Sequence, residues 1–151
     1  MPGPEICQPT RSNKVTGMST AVKGLVAYSH VNIPVTDIEA ADAFYIGKLG
    51  LEKLPRPDFG RFEGSWLRMG PSQLHLSKVD EMPDSAGVMS HFALYIPADQ
   101  FDETMAELAE RGVEFFIEPN ERDDFGVAVR SAFARDPDGN LIEFTDVALL
   151  D

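Results

Sequence analysis

The chain is poor in the residues that most often carry catalysis or covalent cross-links. Its 151 residues include one cysteine, three histidines and one tryptophan. A lone cysteine, Cys7, excludes an intramolecular disulfide framework and suits a reducing compartment, here the cytoplasm. No histidine or other base stands near it in sequence, so a catalytic thiol is not expected. Basic residues are also scarce, 13 Lys and Arg against 25 Asp and Glu, for a net charge of −12. Such a field repels phosphate backbones and anionic bilayers, which argues against nucleic-acid and membrane-surface roles. No apolar run approaches the ~20 residues of a membrane-spanning helix. The first twenty residues lack the apolar stretch of a secretory signal.

What is present is enough for one folded domain. Apolar residues make up 43% of the chain and include ten Phe, the content of an ordinary soluble core. Residues 1–20, rich in Pro, Gly, Ser, Thr and Asn, read as an N-terminal arm. Residues 21–151 read as a single domain built from two modules, about 24–80 and 88–148. In the first, 25–35 (LVAYSHVNIPV) is a β-branched strand. Thr36 or Asp37 caps a helix with Ile38, Ala41, Phe44, Tyr45 and Leu49 at helical spacing, and Gly50 ends it. Strands follow at 51–54, 62–69 and 72–79, with turns at Pro57-Asp58-Phe59-Gly60 and Gly70-Pro71. The second pass has a strand at 90–96, a helix opened by Asp99 or Gln100 and stopped by Gly112, and strands at 113–117, 127–134 and 141–145. The acidic run 103–110 is a solvated helix face. The order is βαβββ twice. Ser29-His30 matches Ser90-His91, Gly50-Leu51-Glu52 matches Gly112-Val113-Glu114, and Gln73-Leu74-His75-Leu76 matches Leu141-Ile142-Glu143-Phe144. The expected fold is therefore α+β, with tandem βαβββ modules forming a cupped mixed sheet and helices outside. Open sheet edges and a polar cup predict a homodimer.

The repeat also pairs the residues able to do chemistry. His30 and His91 fall on the first strand of their modules, His75 and Glu143 on the fourth. Strand side chains alternate between faces. Leu74 and Leu76 flank His75, Ile142 and Phe144 flank Glu143, and Phe92 and Leu94 oppose His91. Each candidate thus points away from the helix-covered face, together with Asn32, Gln73, Ser77 and Thr145. A single histidine in such a place is more often a satisfied polar group than a ligand. All three histidines and a carboxylate on repeat-equivalent positions of one face favour a site. Three imidazoles and a carboxylate are ligands for a divalent ion, with zinc, iron, nickel, cobalt and manganese all open.

Three segments, SHVNIPVTDIEAADAFYIGKLGLEKL, SHFALYIPADQFDETMAELAERGVEF and ARDPDGNLIEF, resemble the vicinal oxygen chelate superfamily. That group includes glyoxalase I, extradiol dioxygenases and the bleomycin and fosfomycin resistance proteins. The resemblance covers about residues 25–147. It implies that His30, His91 and Glu143 are metal ligands, and that the ion takes two vicinal oxygens of a small substrate. His75 falls where glyoxalase I carries a Glu. Two His and two Glu around a divalent ion sum to zero charge, whereas three neutral His and one Glu sum to +1, which favours an anionic substrate. His75 is then a fourth ligand or an acid/base, and His75 and Glu143 are the catalytic candidates.

Three activities follow from the resemblance. The first is a metal-dependent isomerase or lyase of the glyoxalase type. Arg68, Arg130 and Arg135 are its candidate anion-binding cations, though each reads equally as a surface charge. The second is an extradiol-type dioxygenase, whose acid/base His would correspond to His75. Phe133 stands where those enzymes carry a Tyr, and 126–131 contains no His. The third is a metal-free protein that sequesters a drug, to which the −12 charge, Trp66 and Phe59 are suited. Retention of all four candidate ligands favours the enzyme.

Overall fold

The computed structural model describes residues 27–84, 89–123 and 126–147. The N-terminal arm and Cys7 lie outside the described residues. Among the described residues eight strands and two helical segments follow the expected order. The first module holds β1 (His30–Val35), β2 (Lys53–Leu54), β3 (Gly64–Met69) and β4 (Ser72–Lys78) in the sheet order β1-β4-β3-β2. The second holds β5 (His91–Tyr95), β6 (Phe115–Arg122), β7 (Val129–Arg135) and β8 (Leu141–Thr145) in the order β5-β8-β7-β6. In each sheet the first and fourth strands pair in parallel and the other neighbours are antiparallel. The fold is thus α+β, two mixed four-stranded sheets from tandem βαβββ modules.

Local chemistry explains the element boundaries. Asp37, extended at φ −136°, accepts the Ala40 N–H at 3.0 Å and opens α1 (Ile38–Asp42), as an N-cap does. The helix then widens into a π-helical turn, Ala43–Lys48, closed by Leu49 N–H to Phe44 C=O at 3.0 Å. Phe44 and Tyr45 both turn inward from this wider turn. In the second module a 3₁₀ turn, Ala98–Gln100, leads into α2 (Phe101–Glu110), which buries Phe101, Met105 and Leu108. β6 extends past the expected 113–117 to Arg122. Its Pro119 is tolerated because β6 is an edge strand, where a missing N–H breaks no necessary ladder bond, and the register is irregular between Phe115 and Asn120. β1 starts at His30, where its pairing with Gln73 of β4 begins; residues 27–29 of the expected strand precede it, and 25–26 lie outside the described residues.

Both modules feed one apolar core. Val35, Tyr45, Leu67 and Leu76 from the first join Phe101 and Ile142 from the second, all essentially free of solvent. Burying each such side chain contributes about 1.5–3 kcal/mol before entropy is charged against it. A polar clasp fixes the modules to each other. Asp136, at the start of the Asp136-Pro137-Asp138-Gly139-Asn140 turn, accepts the Tyr45 hydroxyl at 2.9 Å. The same carboxylate accepts the backbone N–H groups of Asp138 and Asn140, both at 2.9 Å, and Nδ2 of Asn140 at 2.8 Å. Nδ2 of Asn140 also donates to the Pro34 carbonyl at 2.8 Å, and the Thr36 N–H donates to Asp138 at 3.0 Å. Burial first, and then the Asp136 carboxylate, push the Tyr45 hydroxyl far above its usual range, so it stays a donor. The two most recognisable motifs of the sequence, Phe44-Tyr45 and the DPDGN turn, therefore meet in one buried bond.

Candidate metal centre

The open faces of the two sheets carry the four candidates, two on each. In the second sheet β5 and β8 run parallel, with Ala93 opposite Glu143 and His91 opposite Leu141. His91 and Glu143 are thus diagonal neighbours on one face, and Nε2 of His91 stands 3.0 Å from Oε2 of Glu143. Nδ1 of His91 lies 2.7 Å from the Met89 carbonyl. A carbonyl only accepts, so Nδ1 carries the proton. The Nε2 lone pair of the neutral ring then faces a carboxylate oxygen, an arrangement completed by a second ring proton or by a cation. Ligand atoms adjacent on an ion with bonds of about 2.0–2.2 Å stand roughly 3 Å apart. The donor set and spacing fit two neighbouring ligands of a divalent metal. The carbonyl contact is the kind that orients a ligating imidazole.

The first sheet holds the other pair in a different geometry. Asn32 of β1 is opposite His75 of β4, and Trp66 of β3 is opposite His75 from the other side. The rings of His30 and His75 stack with centroids 4.2 Å apart and planes 15° from parallel. Trp66 stacks on the far face of His75 at 4.4 Å and 9°. A ligating lone pair lies in its ring plane, and two near-parallel planes this far apart share no point at bonding distance from both rings. As arranged, one ion takes only one of these imidazoles. Nε2 of His75 is held 2.8 Å from Oε1 of Gln73. The Ser29 hydroxyl lies 3.1 Å from Nδ1 of His30, which leaves Nε2 of that exposed ring for another partner. Burial, then His30 and then Arg56 hold the His75 imidazole below the ordinary histidine range, so it is neutral at pH 7.

The structure therefore brings His91 to Glu143 and His30 to His75, but it does not bring the two pairs together within one chain. Among the described residues no three His, Cys, Asp or Glu side chains are grouped to hold an ion. The strand edges tell the same story. β1 and β5, which carry His30 and His91, each end their sheet and pair on one side only among the described residues. Val31 and Tyr95 on these strands are 38% and 42% exposed. Of the arginines proposed for anion binding, Arg130 is committed to Asp146 and Asp102, Arg68 to Glu52, and Arg135 to the Gly139 carbonyl. The sequence puts Gln73 on the face of His75 and offers Trp66 as an aromatic for a bound drug, but it does not show their contacts with His75, the hydrogen bond from one and the stacking of the other. The two-residue Gly70-Pro71 hairpin was the available signal, since loop length fixes hairpin register. It sets Met69 opposite Ser72 and hence Trp66 opposite His75.

These features define a two-module chelate fold, and comparison with known proteins agrees. The Glyoxalase/Bleomycin resistance protein/Dioxygenase superfamily model matches residues 27–144, and the chain belongs to that superfamily. Comparison with curated proteins returns no match. Among solved structures, a glyoxalase/bleomycin resistance protein/dioxygenase from Alicyclobacillus acidocaldarius is 26% identical with a TM-score of 0.64, over 77% of this chain and 87% of that one. A glyoxalase family protein from Bacillus anthracis is 27% identical with a TM-score of 0.66, over 80% and 94%. The fosfomycin resistance protein FosX from Listeria monocytogenes, in a mutant form complexed with Mn(II) and 1S,2S-dihydroxypropylphosphonic acid, shares the fold. It is 22% identical with a TM-score of 0.63, over 82% and 94%. No helix among the described residues is long and apolar enough to cross a membrane.

Proposed function

We propose that the protein is a cytoplasmic, homodimeric, metal-dependent lyase or isomerase of the glyoxalase type, acting on a small substrate held through two vicinal oxygens. One observation carries this reading. His91 and Glu143 present an imidazole nitrogen and a carboxylate oxygen 3.0 Å apart, with the other ring nitrogen tied to a backbone carbonyl. The third ligand is His30 of the partner subunit, because the pairs stand on separate sheets and the His-bearing strands β1 and β5 are open edges among the described residues, which a second copy would cover. A divalent ion so bound supplies Lewis acidity to the substrate oxygens.

The protein's own groups do the rest. Glu143 and His91 fix the chelate on β8 and β5. His75, neutral and held by Gln73 and Trp66, stands beside His30 as the group able to accept or return a proton. Phe133 lies against His91 with ring centroids 5.6 Å apart and offers no hydroxyl, which disfavours the dioxygenase reading. The test is metal analysis of protein purified without chelator. Wild type is expected to hold one divalent ion per site, and His91→Ala and Glu143→Ala to hold none. Wild-type protein that takes up no divalent ion would move the function to metal-free binding of a drug.

A further inference from the structure

The open face of the first sheet carries more than ligands. His30, His75 and Trp66, on the adjacent strands β1, β4 and β3, form one column of stacked rings. Phe59, on the loop between β2 and β3, continues it 6.1 Å from Trp66 at a tilt of 50°. Phe59 is 50% exposed, so core packing does not account for it. The Arg56 guanidinium lies 4.8 Å over the Phe59 ring and donates to the Phe62 carbonyl at 2.6 Å, which holds both side chains at the end of the column. Rings on neighbouring strands stack face to face only when they stand up from the sheet, so their edges point into the open face. Aromatic edges carry the positive part of the ring quadrupole and attract the π face of a flat ligand. The second sheet has a single buried ring in the corresponding place. Phe133 of β7 is opposite Glu143 and meets His91 edge-on. An aromatic thus flanks each pair of candidate ligands.

We infer that the site selects an aryl-bearing acid: a small anionic chelator whose flat ring lies across Trp66 and Phe59 while its vicinal oxygens reach the ion. This rests on the chelate reading above and adds the substrate class. Two neutral imidazoles and one carboxylate around a divalent ion leave a charge of +1, which favours a carboxylate over a neutral diol.

Mandelate and lactate separate the two ideas, since they share an α-hydroxy-carboxylate and differ by a phenyl ring. Trp66 is the only tryptophan, so its emission reports on the column directly. With the full-length protein loaded with Mn(II), mandelate is expected to bind on the order of tenfold tighter than lactate and to change Trp66 emission. Phe59→Ala, a loop substitution outside the core, should bring mandelate towards lactate with Mn(II) content unchanged, and Trp66→Phe should keep part of the preference. Equal affinities for the two acids on loaded protein would overturn the aryl inference and leave the chelate reading standing. Failure to take up Mn(II), or mandelate binding as tightly after chelator treatment as before it, would overturn the chelate reading itself.

Discussion

Replacing Tyr45 with Phe removes one oxygen and nothing else from the clasp between the modules. The ring keeps its edge-on contact with Phe44, whose centroid is 5.1 Å away. What is lost is the 2.9 Å bond to a buried carboxylate. A hydrogen bond to a charged acceptor contributes about 1.5–3 kcal/mol. Asp136 keeps three other donations, from two backbone N–H groups and Asn140, so the loss should lie near the lower end, about 1.5–2 kcal/mol. The hydroxyl is held protonated far above its usual range, so the loss should be the same at pH 6 and pH 9. Urea unfolding reads it directly. With a slope of roughly 2 kcal/mol per M, the midpoint should fall by about 0.7–1 M with the slope unchanged. Asp136→Asn should cost more, because it turns an acceptor of four donors partly into a donor facing donors. A Tyr45→Phe midpoint within about 0.2 M of wild type, or a two-step transition in the wild type, would refute the reasoning that this bond couples the modules.

Other outcomes follow from single contacts. A Cβ on Gly64 would collide with the Leu76 carbonyl oxygen of the neighbouring strand, so Gly64→Ala should destabilise by roughly 1–3 kcal/mol in the same urea assay. Burial raises the Asp146 carboxyl, but the Arg130 backbone N–H and guanidinium outweigh it and leave the group below its ordinary value. Its stabilisation is therefore complete above the unfolded value of about 3.8 and fades as pH falls through the folded one, and Asp146→Asn should flatten that acid limb in pH-dependent melting. His75 has the opposite origin with the same direction. Its folded value is lowered, so the unfolded chain binds the proton first and stability should decline as pH drops below about 6.5, a slope that His75→Gln should remove.

The duplication was legible because strand parity and helical spacing recur with the same polar positions. Once β1 pairs β4 and β5 pairs β8, the face that His30 shares with His75 on one sheet, and His91 with Glu143 on the other, follows from period two alone. The hairpin at Gly70-Pro71 even encoded the Trp66 to His75 neighbourhood. Ring stacking and the Met89 and Gln73 contacts were not legible, because they depend on χ angles and loop paths that a pattern of apolar residues does not specify. The role of DPDGN was hidden for a related reason. Its Asp136 and Asn140 serve a contact with Tyr45 and Pro34 some hundred residues earlier in the chain, which no local spacing reveals. β6 outran its expected end because a proline costs little on a sheet edge, and only the strand order shows where the edge is.

Mixed dimers test the proposed cross-subunit metal site most directly. On that assignment His30→Ala dimers would lack one ligand at both sites, and dimers of the double variant His91→Ala, Glu143→Ala would lack the other two. When the two variants are combined in one dimer, one site has lost all three ligands and the other is wild type throughout. A site shared between subunits predicts that the mixed dimer, isolated by two affinity tags, regains one tightly bound divalent ion per two chains although neither parent dimer holds any. No recovery of metal in verified mixed dimers would contradict the assignment.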